Sequence, residues 1–179
     1  MSILENIDHI CDGIDLNKEM LDIARNKVKG NLYLNNLLDF KLNKKYDAII
    51  SMFAVFNHLN NYEELETGIK NLYNHLNDDG ILIIDLHNGI SSGEKENTYD
   101  NYKRIMKWNF DINTFKKTTE ITYDIDGIEY KDKHEFIIYE IAKLKEMLNK
   151  LNMKYKLFEN YTFDEATDES KNIHIIIYK

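Results

Sequence analysis

The chain has 179 residues, 43% hydrophobic and 30% charged, which is enough for one globular domain with a real core. Its formal net charge of −8 is broken by no basic stripe, which argues against a nucleic-acid partner. A lone Cys11 excludes an internal disulfide and fits a reducing cytoplasm, and the absence of an 18-residue apolar run or a signal-peptide core argues against membrane insertion or export.

Residues 2 to 9, with Ile10 following, place Ile3, Leu4, Ile7 and Ile10 at helical spacing, the pattern of the last turns of a helix. A short strand over 11–16 carries an acid, Asp15, near its carboxyl end and leads at once into an amphipathic helix predicted over 17–29. Asn17 is its expected cap, Glu19 suits the positive first turn, and Met20, Leu21, Ala24 and Val28 form the apolar stripe. Gly30 is expected to stop the helix. Leu32 to Asn35 reads as a second strand, and Tyr46 to Phe53 as a compact apolar strand covered on both faces. A helix over 62–76 buries Leu65, Ile69, Leu72, Tyr73 and Leu76, and Asp79-Gly80 turns the chain into the buried strand Ile81 to Leu86. Strand, helix, strand, helix, strand in this order implies right-handed crossovers and a parallel sheet.

The pattern changes after residue 88. Residues 88–100 read as a loop, and three alternating segments follow at 102–111, 115–125 and 128–138, with Asp126-Gly127 as a two-residue hairpin turn. A helix over 139–151 and strands over 153–161 and 172–178 close the chain. The expected organisation is an α/β domain of residues 1–100 and 139–179 interrupted by an antiparallel β insertion, 101–138.

Four segments in order carry a resemblance: Gly-Ile-Asp-Leu-Asn-Lys-Glu-Met-Leu-Asp-Ile-Ala-Arg from 13, Asn-Asn-Leu-Leu-Asp-Phe from 35, Tyr-Asp-Ala-Ile-Ile-Ser-Met-Phe-Ala-Val-Phe-Asn-His-Leu from 46, and Leu-Asn-Asp-Asp-Gly-Ile-Leu-Ile-Ile-Asp from 76. In sequence and spacing they resemble class I S-adenosylmethionine-dependent methyltransferases, most closely the small-molecule branch that includes N-methyltransferases of nucleotide-linked amino sugars. The resemblance implies a Rossmann-like α/β sheet with a small antiparallel β insertion bordering the acceptor site. It implies S-adenosylmethionine as cofactor and, as partner, a small polar molecule methylated on N or O. Carried over by position, Asp15 bonds the ribose hydroxyls, Leu16 and Met20 line the adenine or ribose side, and Leu37 packs near adenine. Asn36 stands where the family usually has an Asp accepting from the adenine amino group, and Ser51, Met52 and Phe53 flank the methionine portion and the methyl group.

One part of the family pattern is absent. No two of the seven glycines form Gly-x-Gly, and nothing before residue 11 reads as the family's first strand, which lies between the strands at 11–16 and 46–53. The resemblance therefore implies two unpaired strand edges, and a missing N-terminal segment, a partner or a homodimer to cover them.

Methyl transfer from a sulfonium needs alignment and, where the nucleophile is protonated, a base; it needs no metal, and no ligand cluster of metal spacing is present. His58 stands where a substrate-side base belongs, its bland alternative being a surface histidine capping a loop; His87 is a second candidate, and His134 of the insertion reads as a solvated strand residue. For Asp15 the bland reading is a cap on the following helix, Asp47 reads as structural, and Asp85 stays open between roles. Trp108, Phe110 and nearby tyrosines suit either an acceptor pocket or plain sheet packing. Two rivals stand beside the methyltransferase: an inactive partial domain needing another segment or partner, and a nicotinamide-dependent Rossmann enzyme, which fits the segment at 46–59 and the terminal antiparallel pair poorly.

Overall fold

The computed structural model describes all 179 residues. The chain opens with α1 (Ser2–Glu5), a single turn in place of the longer helix tail expected over 2–9. Ile3, Ile7 and Ile10 are exposed, so the helical stripe meets no apolar partner, and so short a helix is not self-sustaining. β1 (Gly13–Asp15) pairs in parallel with β2 (Leu32–Leu34), Asp15 lying opposite Leu34. Between them runs α2 (Lys18–Arg25), capped as expected by Asn17, whose Oδ1 accepts from the Met20 amide at 3.0 Å. The helix ends at Asn26, before Gly30. Gly30 serves a different purpose from the expected stop: a Cβ there would lie 1.5 Å from the Cys11 carbonyl oxygen, so only glycine permits the backbones to cross.

The main sheet has the order β3–β4–β10–β9. β3 (Tyr46–Ser51) and β4 (Leu76–His87) run parallel, joined by α3 (Tyr62–Asn74). β10 (Asn172–Tyr178) is antiparallel to β4 on one side and to β9 (Lys154–Glu159) on the other, and α4 (Ile141–Lys150) precedes β9. One core joins Leu65 and Ile69 of α3, Leu82 and Ile84 of β4, Leu144 and Leu148 of α4, and Ile173, Ile175 and Ile177 of β10, all fully buried. β4 begins five residues before the expected Ile81. The turn at Asp79-Gly80, with Asp79 at φ 65°, is absorbed as an irregularity in the β3–β4 ladder.

β3 departs from the expected strand covered on both faces. It pairs only with β4, and Ala48 and Ile50 are exposed, Ile50 at 46%. β1 and β3 share no ladder, so each presents an unpaired edge. Their amino ends are tied by side chains: the carboxylate of Asp12 accepts from Tyr46 Oη at 2.9 Å and from Lys44 Nζ at 2.7 Å. Burial pushes the Asp12 carboxyl up, but hydrogen bonds from Lys44, Asn31 and Tyr46 outweigh it and bring its pKa down to about 2.

The insertion is a four-stranded antiparallel sheet, β5 (Gly93–Thr98), β6 (Tyr102–Asp111), β7 (Lys116–Ile125) and β8 (Ile128–Ile137). Three strands were expected, with 88–100 as loop. Gly-Glu-Lys-Glu-Asn-Thr has no apolar alternation, and pairing with β6 imposes its extended state. The Asp126-Gly127 turn forms as expected, both residues at positive φ.

Candidate functional site

Because Asp12, at the amino end of β1, touches Lys44 and Tyr46 at the amino end of β3, the two strands start from the same side and end at the same rim. Three groups of sequence-predicted residues gather at this carboxyl rim: Asp15 with Leu16 and Met20, Asn36 with Leu37, and Ser51 to Phe53. Asp15 is exposed, and its Oδ1 accepts from the Asn17 amide at 2.8 Å, so the capping role is present. Its second oxygen has no protein partner, so both readings of Asp15 fit one side chain. Leu16 and Met20 are 69% and 55% exposed, apolar surface facing water beside that carboxylate. Asn36 Oδ1 accepts from the Leu38 amide at 2.9 Å, which leaves its second lone pair and its NH2 group. Leu37 is half-buried against α3, packed over Gly68.

Beyond β3 the chain makes a backbone turn of unusual kind. Phe53 and Ala54 are consecutive left-handed residues, φ 66° and 56°, neither of them glycine. Such residues persist only when their surroundings hold them. The holder is Asp85 of β4, buried, whose Oδ1 accepts from the Ala54 amide at 2.6 Å. The sequence left Asp85 open; the structure makes it the anchor of the rim. Phe53, thrown outward, is 90% exposed. The short 3-10 turn Val55–His58 follows and carries Asn57, fully buried. Its amide donates to the His87 carbonyl at 2.9 Å and to the Ile137 carbonyl at 2.6 Å, and its oxygen accepts from the His87 amide at 2.8 Å. One side chain thus ties the turn to the end of β4 and the end of β8. Sequence reasoning passed over Asn57; its signal was an amide side chain set among Phe56, Leu59 and Val55.

The histidines gather where the insertion meets this turn. His58 lies 4.7 Å from the Phe136 ring and 6.2 Å from His134, ring centre to ring centre, and His87 lies 6.3 Å from Phe136. Burial, and then the neighbouring His134, holds the His58 pKa below the usual histidine range. Burial and the Lys117 charge do the same to His87. Lys117, only 6% exposed, sets its Nζ 3.0 Å from His87 Nε2 and 2.7 Å from the Gly89 carbonyl, with no carboxylate beside it; burial lowers its pKa. His134 is half-buried rather than fully solvated, its Nε2 3.0 Å from Asp132. Asp47 has the structural role expected, accepting from Asn77 at 2.8 Å. No group of three or more His, Cys, Asp or Glu side chains converges as a metal site, and no helix is long and apolar enough to cross a membrane. A cavity of about 680 Å³ between α4 and β9 lies away from the rim.

Known proteins place this geometry. Residues 2–80 match the family model described as a methyltransferase domain. Over 146 residues the chain is 34% identical to an uncharacterized protein of Methanocaldococcus jannaschii, covering 77% of this chain and 52% of that one. It is 30% identical over 74 residues to the dTDP-3-amino-3,4,6-trideoxy-alpha-D-glucopyranose N,N-dimethyltransferase of Streptomyces venezuelae, 41% of this chain and 31% of the relative. The chain therefore spans about half the length of the first relative and less than a third of the second. In fold it is similar to an S-adenosylmethionine-dependent methyltransferase of Clostridium acetobutylicum, with a TM-score of 0.84 over 95% of this chain and 75% of that one at 18% identity. The fold is the Rossmann-like one of methyltransferases. Residues 2–80 thus match a methyltransferase domain, and the chain as a whole shares the fold of an S-adenosylmethionine-dependent methyltransferase.

Proposed function

We propose that the chain binds S-adenosylmethionine across the carboxyl rim of β1, β2 and β3 and serves transfer of its methyl group to a nitrogen or oxygen of a small polar acceptor. The observation that carries this reading is the pairing of Asp15, one carboxylate oxygen unengaged, with the exposed apolar residues Leu16, Met20 and Phe53 at one rim. An acid that can take two hydroxyls beside apolar surface suits a nucleoside. Asp15 would hold the ribose hydroxyls, Leu16, Met20 and Leu37 the adenine side, Asn36 the adenine edge, and Ser51 to Phe53 the methionine side. When bound, the cofactor supplies an electrophilic methyl group. Asp85 contributes by fixing Phe53 and Ala54 before anything binds. His58, held below the usual histidine range, is neutral near pH 7 and has a ring nitrogen with which to accept the acceptor's proton. The similarity to an amino-sugar N,N-dimethyltransferase supports an amine-bearing sugar as the acceptor class.

A second reading is favoured by the unpaired edges of β1 and β3: the cofactor site is completed only when a further strand, from another segment or partner, occupies the space between them. Calorimetry with S-adenosylhomocysteine separates the two. Binding by the 179-residue chain, weakened about 10- to 100-fold by Asp15→Ala as loss of hydrogen bonds to a charged group implies, supports the first. Binding seen only after a strand is fused ahead of Met1 supports the second. No binding in either form refutes the cofactor reading.

A further inference from the structure

Only two places in the chain set consecutive residues other than glycine in the left-handed region. One is Phe53–Ala54 at the rim. The other is Asn160–Tyr161, φ 46° and 61°, in the turn that leaves β9. Asparagine tolerates that conformation, but a tyrosine in it has to be held. Part of the hold is backbone, since the Asn160 amide donates to the Asn172 carbonyl at 3.0 Å. The Tyr161 amide donates instead to a side chain, Nδ1 of His174, at 3.4 Å, and the two rings lie 4.2 Å apart.

The side chains that hold the two turns are neighbours. His174 of β10 stands directly opposite Asp85 of β4 in the antiparallel ladder, so both point from one face with Cβ atoms about 4.5–5.5 Å apart. Both are buried, His174 at 8% exposure. Each also has one side unengaged. Asp85 accepts from Ala54 through one oxygen, and the other takes no bond from the protein. A neutral His174 that accepts at Nδ1 carries its proton on Nε2, and Nε2 is buried without a partner.

The other groups around the His174 ring are on β9, on β4 and in the turn. Phe158, opposite it on β9, is apolar, and Lys156, next on that face, is exposed and stands opposite Ile176. Next on the same face of β4 is His87, whose ring meets Lys117 and Asn172. The turn contributes the Tyr161 ring. Asp85 is therefore the charge that His174 faces: burial holds the His174 pKa below the usual histidine range, and that carboxylate opposes the shift. Protonation changes what the ring does. An imidazolium has two N–H donors and no acceptor, so the Tyr161 amide loses its bond and the ring requires an acceptor of its own. The carboxylate across the ladder supplies one, and pairing with it draws Asp85 from the Ala54 amide.

We propose that His174 is a positioning residue for the rim: neutral, it holds Tyr161 and leaves Asp85 to Ala54; protonated, it releases Tyr161, claims the Asp85 carboxylate and loosens the Phe53–Ala54 turn. The proposal rests on the methyl-transfer reading, in which that turn flanks the methionine side of the cofactor. Acid then weakens cofactor binding through a residue that touches no cofactor.

An NMR titration of the free chain tests the coupling without any ligand. The Ala54 and Tyr161 amide resonances are expected to move with the midpoint of the His174 ring, below about 6.5, rather than with those of His58 or His87. They are expected to stay still in His174→Asn, whose Oδ1 replaces Nδ1 as an acceptor and takes up no proton. By calorimetry, the wild-type affinity for S-adenosylhomocysteine is expected to fall roughly fivefold or more from pH 7.5 to 5, and that of His174→Asn by less than about twofold. An Ala54 amide that ignores the His174 midpoint, a His174 ring with no midpoint above pH 4.5, or an equal loss of affinity in His174→Asn overturns the proposal. Where His174→Asn does not fold, the match of midpoints in wild type decides alone. Coupled amide shifts without S-adenosylhomocysteine binding at either pH support the coupling and strike only the cofactor reading.

Discussion

Replacing Asp85 tests how the rim is held. In Asp85→Ala the Ala54 amide loses a charged acceptor at 2.6 Å, an interaction worth about 1.5–3 kcal/mol. The two left-handed residues it secures, Phe53 and Ala54, hold about 1–2 kcal/mol each against relaxation. If the turn keeps its shape the hydrogen-bond term is lost; if it relaxes, the recovered backbone energy offsets part of that loss. The expected destabilisation is then about 1.5–3 kcal/mol with the turn held, and less if it relaxes, which lowers Tm by up to roughly 3–12 °C in a chain of this size. Thermal denaturation followed by circular dichroism reads it. Ala54→Gly in wild type is expected to gain about 1 kcal/mol, because glycine carries no left-handed penalty, and to gain less in the Asp85→Ala background to the extent that the turn has already relaxed. Should Asp85→Ala fail to fold, Asp85→Asn keeps the shape and removes the charge, and is expected to show about half the loss. A Tm within 2 °C of wild type in Asp85→Ala would refute the claim that this carboxylate holds the turn.

Two further outcomes follow from the same physics. Gly30→Ala forces a Cβ to 1.5 Å from a backbone carbonyl that cannot rotate aside, so about 3 kcal/mol is expected to be lost, against about 1 kcal/mol for Gly127→Ala, where space is open and only φ +79° is strained; calorimetric melts showing equal losses would contradict the crossing at Cys11. Burial depresses the pKa values of His58, His87 and His174, so each takes up a proton on unfolding once the pH is below the unfolded value near 6.5. Stability is therefore full above about pH 6.5 and is lost as pH falls toward the folded values, and Tm is expected to drop between pH 7 and 5 with a slope of more than one proton; a flat or rising Tm over that window would count against the burial of these rings.

What the sequence made legible was local. The strand–helix junction at Asp15 and Asn17, the buried run of β4, the crossover helix and the Asp126-Gly127 hairpin are each written in a few adjacent residues. β5 was illegible because Glu94 to Thr98 hold no apolar alternation, and only the presence of β6 makes them extended. The coverage of β3 was misread because an apolar run such as Ala48 to Ile50 looks the same at an edge as in a centre; neighbours decide, and neighbours are tertiary. Asp85, Asn57 and Lys117 matter through partners 28 to 80 residues away, a separation that no local pattern encodes.

The strand edges also differ in how they meet water. β5 presents Glu94, Lys95 and Glu96, β8 a run of Lys and Glu from 129 to 135, and β9 Lys154 and Lys156, all exposed. Such charges keep a foreign strand from docking, the ordinary protection of a permanent edge. β1 and β3 carry one exposed acid each, Asp15 and Asp47, beside the uncharged runs of Gly13 and Ile14 and of Ala48, Ile49 and Ile50. By the same rule these two rows are where another extended segment is expected to dock. Colloidal behaviour, and not only ligand binding, is therefore set at the same boundary: material that settles there productively keeps the protein soluble, and any other strand begins its aggregation.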